Sequence, residues 1–341
     1  LKTARRIAIL TGVRSAYKRA LVRNVERVEN IVIGTRGSAL ALAQTEMVAQ
    51  QLAAVHPHLS VEVKIIKTEG DRKQGTPLAA QSDKKDWIID LERALLAGEI
   101  DMAVHSGKDV PGEIEPGTEI RSILKRATPY DAFVGKIQPD GKRLSFANLP
   151  HGAIVGTASL RRKASLRTNR ADIVLRDHRG NVPTRVKKLD ESPDLSGIIL
   201  AAAGLERLAL PDLQYEVLPR DVILPAMNQG ALAAQVRTGD ERVSKTVSAL
   251  ADVATAAEFV AERAVAEVLG GDCHSAISIF AEAHGEELSI TCRIFEAEGV
   301  RSVSYAHSGP ISRAAELGTY VGREVLSRGG ADILGPVRHT S

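Results

Sequence analysis

Ile31-Val32-Ile33-Gly34-Thr35-Arg36-Gly37-Ser38 is matched in outline, much later in the chain, by Ile154-Val155-Gly156-Thr157-Ala158-Ser159-Leu160. In both passages a short apolar run reads as a buried strand and breaks at Gly-Thr. A serine then stands where it can cap the next helix. The helix after Ser38 has an apolar face that includes Leu40, Leu42, Val48 and Leu52. Two similar α/β domains, each opening on strand, turn and capped helix, account for the echo. Chance recurrence of a common unit is the alternative.

Working outward, Val61 to Lys67 alternates as a strand, Asp86 to Ala97 is helical, and Ile100 to Val104 is another strand. In the second unit Ile173 to Leu175 and Ile198 to Leu200 are short apolar runs, as expected of strands covered on both faces. This alternation predicts α/β domains with largely parallel pairing. Val243 to Leu269 then reads as an Ala-rich helical region that can contain a break. Strand candidates follow at Ile277–Ala281, Leu288–Phe295 and Val300–His307, and a last helix runs from Ile311 to Ser327. Strands grouped between helices indicate a small α+β domain. At the other end, Leu1 to Val25 carries seven Lys and Arg residues and no acid. It reads as a transit peptide, a basic arm, or upstream sequence outside the mature protein.

Composition removes several function classes. Aromatics make up 3% of the 341 residues, too few for base-stacking platforms, and the net charge of +3 is mild. Nucleic-acid binding is therefore not expected. No apolar run is long enough to cross a bilayer. With only Cys273 and Cys292, neither a disulfide framework nor a thiolate metal cluster is expected, and a reducing compartment is the simplest reading. The nine histidines form no ligand pattern and no HExxH or Walker-type motif occurs, so no metal is expected.

Local charge is more informative. Between Thr157 and Lys188 lie Arg161, Arg162, Lys163, Arg167, Arg170, Arg176, Arg179, Arg185, Lys187 and Lys188, against only Asp172 and Asp177. Arg161 and Arg162 fall in the first turn of a helix, where they oppose the dipole unless an anion is present. Guanidinium forks suit carboxylate or phosphate, and Arg36 occupies the corresponding loop of the first unit. A solvated basic face is the alternative. His105-Ser106-Gly107-Lys108-Asp109-Val110-Pro111 follows a strand directly, which places Ser106, Lys108 and Asp109 on a cleft edge. Among cations, Asp109 can serve a positive centre on an otherwise anionic ligand, or be a surface ion pair with Lys108. Cys273 sits in Gly270-Gly271-Asp272-Cys273-His274-Ser275, a permissive loop that other groups can approach. Cys292 shares a strand face with Ile290 and Ile294 and reads as core.

Taken in order, these segments resemble the porphobilinogen deaminase family. The resemblance rests on Gly34-Thr35-Arg36-Gly37-Ser38, Ala103-Val104-His105-Ser106 with Lys108-Asp109-Val110-Pro111, and Val155-Gly156-Thr157 through Arg162. It continues in Arg179-Gly180-Asn181-Val182 with Thr184-Arg185, Ala203-Gly204-Leu205 with Arg207, and Leu224-Pro225-Ala226 with Gln229-Gly230. It implies two lobes like those of periplasmic binding proteins and a third small α+β domain. The first lobe would be 30–126 plus 226–246, the second 127–225 and the third 247–341, after an extension over 1–29. It also implies a dipyrromethane cofactor held by a thioether to Cys273, and porphobilinogen as substrate.

Carried over residue by residue, Lys108, Ser106, Thr157, Ser159, Arg161, Arg162, Arg179 and Arg185 would hold the cofactor. Arg36, Ser38, Arg179, Arg185 and Arg207 would hold substrate. Asp109 would be the catalytic carboxylate, serving pyrrole N–H groups and the cation that develops as ammonia leaves. A monomer in the cytoplasm is expected, with a plastid or mitochondrion the alternative if 1–29 is a transit peptide. Three departures from the family pattern stand out. Gly107 replaces a bulkier residue, often Met; Met227-Asn228 replaces Val-Gly; and Ala80 replaces a Lys in a segment thought to be a lid, where Lys84 and Trp87 are the remaining basic and aromatic candidates.

Overall fold

A computed structural model of the protein describes residues 29–69, 85–270, 276–296 and 301–335. The N-terminal extension up to residue 28, the lid candidate Lys84 and the Cys273 loop lie outside the described residues.

The first lobe opens with β1 (Glu29–Thr35), α1 (Ala39–Val55) and β2 (Leu59–Ile65), followed by α2 (Ile89–Leu96), β3 (Met102–Ser106) and β4 (Thr118–Ile123). The second contains β5 (Asp131–Gly135), β6 (Ile154–Gly156), α3 (Leu160–Asn169), β7 (Val174–Arg176), α4 (Val182–Glu191), β8 (Leu195–Ala201), α5 (Ala202–Leu208) and β9 (Glu216–Val217). The chain then returns through β10 (Leu232–Arg237) and α6 (Glu241–Ser248).

Strand order is β2-β1-β3-β10-β4 in the first sheet and β7-β6-β8-β5-β9 in the second. Both sheets follow one plan, in which the fourth strand in space is supplied by a segment that has just crossed between lobes. That strand runs antiparallel to both neighbours, whereas β2-β1-β3 and β7-β6-β8 are parallel. The expectation of largely parallel pairing is thus corrected: each sheet is mixed, because a returning strand enters from the opposite end. Both faces are covered. In the first lobe Ile31, Ile33 and Val104 pack against Val48 and Leu52 of α1 and Val243 of α6, while Leu91 and Leu95 of α2 cover the other face.

In the third unit, α7 (Val253–Val268) and α8 (Ala314–Val325) cover one face of an antiparallel sheet of β11 (Ala276–His284), β12 (Glu287–Phe295) and β13 (Ser302–Pro310). The helical region breaks between α6 and α7 at Asp252, whose side chain caps α7 by accepting from Thr255 N. Cys292 is fully buried in this core, and burial pushes its thiol up to about 12.

The two crossovers touch. Ala127 N donates to Gly230 O at 3.1 Å, and a Cβ on Gly230 (φ 89°) would lie 2.4 Å from Ala127 O. Arg126 fastens them to the third unit. Its Nε donates to Gln229 O (2.8 Å), its Nη1 to Glu262 Oε1 (2.8 Å) and Ala281 O (3.2 Å), and its Nη2 to Glu262 Oε2 (3.3 Å). Glu262 is fully buried and also accepts from Ala281 N (2.7 Å) and Asn228 N. Removing one member of a buried ion pair leaves the other uncompensated, at a cost of about 3–5 kcal/mol. Arg126→Met should lower stability by that order, read as a fall in the urea midpoint.

Candidate active site

Among the described sequence-predicted residues, Arg36 and Ser38 follow β1, Ser106, Lys108 and Asp109 end or follow β3, and Thr157 and Ser159 follow β6, at strand carboxyl ends where open α/β sheets bind ligands. Ser38 and Ser159 cap α1 and α3, accepting from Ala41 N (3.3 Å) and Arg162 N (3.4 Å). Thr157 is buried, and its Oγ1 accepts from Ser159 N at 3.3 Å. These hydroxyls therefore shape the two helix entrances. Arg36 stacks over Trp87, 4.0 Å from guanidinium carbon to ring centroid, which sets the lid candidate Trp87 against a cation of the β1 loop.

One pocket draws on both lobes. Gln44, Ser106 and Lys108 line it from the first, Ala203 and Arg207 from the second, and Gly230 from a crossover. Ser106 Oγ exchanges hydrogen bonds with the Gln44 amide at 2.9 and 3.1 Å. Arg207 Nη2 donates to Gly230 O (2.6 Å), while its buried Nε has no partner among the described residues. Lys108 and Asp109 occupy a 3-10 turn directly after β3, with Asp109 exposed. Asp109 acts electrostatically on Lys108, on Arg185 and on His105. Burial holds His105 down to about 4, so it is neutral, with Nε2 3.1 Å from Gln235 Oε1.

The cations fall into two groups. Arg161 and Arg162 are buried around Asp131, a carboxylate the sequence reading missed. Arg162 reaches Asp131 Oδ1 through Nε (3.0 Å) and Nη2 (2.6 Å), and Arg161 Nη1 lies 2.8 Å from Oδ2. Both also donate to carbonyls, Arg161 to Leu224 (2.6 Å) and Arg162 to Ile199 (3.0 Å). The anion that offsets them at the helix entrance is therefore internal. The alternative of a solvated basic face does not hold for Arg161 and Arg162, which are buried, and Leu at either position would leave Asp131 short of a buried partner.

Much of the remaining cluster is paired as well, Lys163 and Arg179 with Asp177, Arg170 with Asp172, Arg176 with Asp194, and Lys187 with Glu191. Arg179 is exposed, 3.7 Å from its partner.

Lys108, Arg185 and Arg207 form the second group, with no ion pair among the described residues. Burial pulls Lys108 down to about 8, Arg185 to about 10 and Arg207 to about 10. Their polar contacts are weak or neutral: Gln229 Oε1 at 3.4 Å for Lys108 and Gly180 O at 2.6 Å for Arg185. Desolvated cations short of counter-charge fit a ligand bearing several carboxylates, as a dipyrromethane does. Gln229, quoted in the sequence motifs but not as a site residue, bridges the groups; its Nε2 donates to Asp131 Oδ1 (3.1 Å) and Pro129 O (2.7 Å). A lone acid ahead of an apolar strand carries no sequence signal, which is why Asp131 went unseen.

Two buried guanidiniums hold the Asp131 carboxyl well below its ordinary value. A carboxyl held low when folded contributes stability that is complete above its unfolded pKa, about 4, and is lost as pH falls toward the folded value. Asp131→Asn should therefore lower stability by about 3–5 kcal/mol at neutral pH and flatten the acid side of the stability profile. Urea midpoints measured from pH 3 to pH 7 check both.

Two family models match the chain: "Porphobilinogen deaminase, dipyromethane cofactor binding domain" over residues 31–245, and "Porphobilinogen deaminase, C-terminal domain" over 256–327. Among curated relatives, the porphobilinogen deaminase of Roseiflexus castenholzii is 42% identical over 305 residues, covering 89% of this chain and 98% of that one. That of Syntrophotalea carbinolica is 42% identical over 302 residues, covering 89% and 94%. That of Geobacter sulfurreducens is 41% identical over 305 residues, covering 89% and 94%. With both models aligned in order across the two-lobed fold and its third unit, the chain belongs to the porphobilinogen deaminase family.

Proposed function

We propose that this chain joins four porphobilinogen molecules head to tail, with loss of ammonia, to give hydroxymethylbilane in tetrapyrrole biosynthesis. The observation that carries the reading is a set of partly buried cations without ion partners among the described residues, Lys108 and Arg207 in one pocket and Arg185, with exposed Asp109 acting on Lys108 and Arg185. Each porphobilinogen brings an acetate and a propionate, so a growing chain accumulates anions that such cations are suited to hold.

In this reading a dipyrromethane attached through Cys273 supplies the pyrrole α-carbon to which the first substrate is joined. Lys108, Ser106 and Arg185 hold its carboxylates; Thr157 and Ser159, with Arg161 and Arg162 behind them, shape the helix entrance beside it. Arg36, Ser38, Arg179 and Arg207 orient incoming substrate. Asp109 accepts pyrrole N–H groups and stabilises the positive charge that develops as ammonia leaves. Because it stands among fixed cations, it meets that charge without reorganisation. Asp109→Asn keeps the size and loses the charge, so turnover should fall about a hundredfold or more, with cofactor still loaded. Substrate consumption by folded, preloaded protein checks this; a near-parent rate would remove Asp109 from the mechanism.

A two-lobed protein that only binds anions would share the cations but needs no covalent group. Intact mass separates the two. Protein from cells making porphobilinogen should exceed its sequence mass by one dipyrromethane. Cys273→Ser should lack the increment and Cys292→Ala should keep it, since the Cys292 thiol is buried and protonated. An increment that survives loss of Cys273 would overturn the attachment.

A further inference from the structure

The turn that carries Lys108 and Asp109 begins at Gly107, and the space a side chain would need there is taken by Asn228. A Cβ on Gly107 would lie 3.0 Å from both Cβ and O of Asn228 and 3.2 Å from Phe259 Cε2. Gly107 is not among the residues with positive φ, so space rather than backbone conformation restricts it. Its N–H donates to Ala231 O at 2.9 Å, which ties the turn to the second crossover.

Asn228 is fully buried in that crossover, with φ 54°. Its backbone N–H donates to Glu262, so the Arg126–Glu262 pair fixes its position. Neither end of its side-chain amide has a hydrogen-bond partner among the described residues. Hydrogen bonding therefore does not account for this side chain. The left-handed backbone does not require it either, because glycine adopts that conformation with less strain. What asparagine adds is volume, seated against Gly107. The next residue, Gln229, touches Lys108 and Asp131, so two consecutive crossover residues meet the turn, one at its first residue and one at its ammonium.

We propose that Asn228 is a positioning residue: its side chain, matched in size to Gly107, sets where the Lys108–Asp109 turn stands relative to the cations of the second lobe. The inference rests on the reading that Lys108 and Asp109 act on the substrate. Asn228→Gly removes the volume and keeps the backbone. Crystal structures of parent and variant should show the turn displaced by roughly 0.5 Å or more toward the vacated space, enough to loosen a preorganised site. In the preloaded enzyme kcat should fall roughly tenfold with little change in KM, as for a misplaced reacting group, while the urea midpoint stays near the parent's. Gly107→Ala overfills the same space, and its cost in kcat should be smaller in the Asn228→Gly background than alone. A turn that does not move, an unchanged kcat in Asn228→Gly, or an equal cost of Gly107→Ala in both backgrounds would overturn the positioning role. A turn displaced in Asn228→Gly, alongside a parent protein that consumes no porphobilinogen, would instead overturn the functional reading and leave the contact standing.

Discussion

The buried pairing of Arg126 with Glu262 is the constraint on which the arrangement depends. Four backbone groups from two parts of the chain converge on these two side chains, Gln229 O and Asn228 N from the second crossover and Ala281 O and N from β11, while Thr255 Oγ1 of α7 accepts from the backbone N of Arg126 itself. Each ion is desolvated, so the pair persists only with those bonds in place. It fixes the crossovers at one point, while residues of both lobes line the pocket around Gln44 and Arg207. The site is assembled on either side of that point, and its geometry is inherited from it.

Against this frame the lobes share a plan and differ in charge. Relative to the capping serines, Arg161 and Arg162 of α3 stand where Leu40 and Ala41 stand in α1. Asp131 pairs with the last residue of β8 as Leu232 pairs with the last residue of β3. One lobe thus has an apolar helix entrance and the other a buried ion triad at equivalent places. The triad gives the second lobe a rigid electrostatic floor. Lys108 reaches toward it from the first lobe through Gln229, and each of these charges influences the Lys108 ammonium.

The parallel strand–turn–helix openings were legible because they are local: a Gly-Thr break, a serine cap and an apolar face follow from a few adjacent residues. The core role of Cys292 was legible for the same reason, from alternation along β12. The antiparallel strands β5 and β10 were not, since neither contains a sign that its partners lie in a segment more distant in sequence. Asp131 and the role of Glu262 were hidden likewise: the partner of a buried charge is set by the crossing of the chain, and spacing does not encode it. The cations at Arg161 and Arg162 were found as residues, but their environment was misjudged because the balancing carboxylate comes from outside the cluster. The family resemblance contributed the chemistry assigned to Asp109 and Cys273, which local pattern alone left open.

The placement of β10 also bears on how the chain is made. It lies between β3 and β4, so β4 has no neighbour in the sheet until residues 232–237 have been synthesised. By then all five strands of the second sheet exist, and β5, the strand that follows the first crossover, already has β8 and β9 beside it. On the ribosome the second lobe can therefore close first, with the earlier one waiting half-built and its open edge at β3 exposed. Long-range closure of this kind is slow, and an unpaired edge is a site for wrong pairing. For these two lobes, the order in which the sheets can be completed runs opposite to the order in which they are begun.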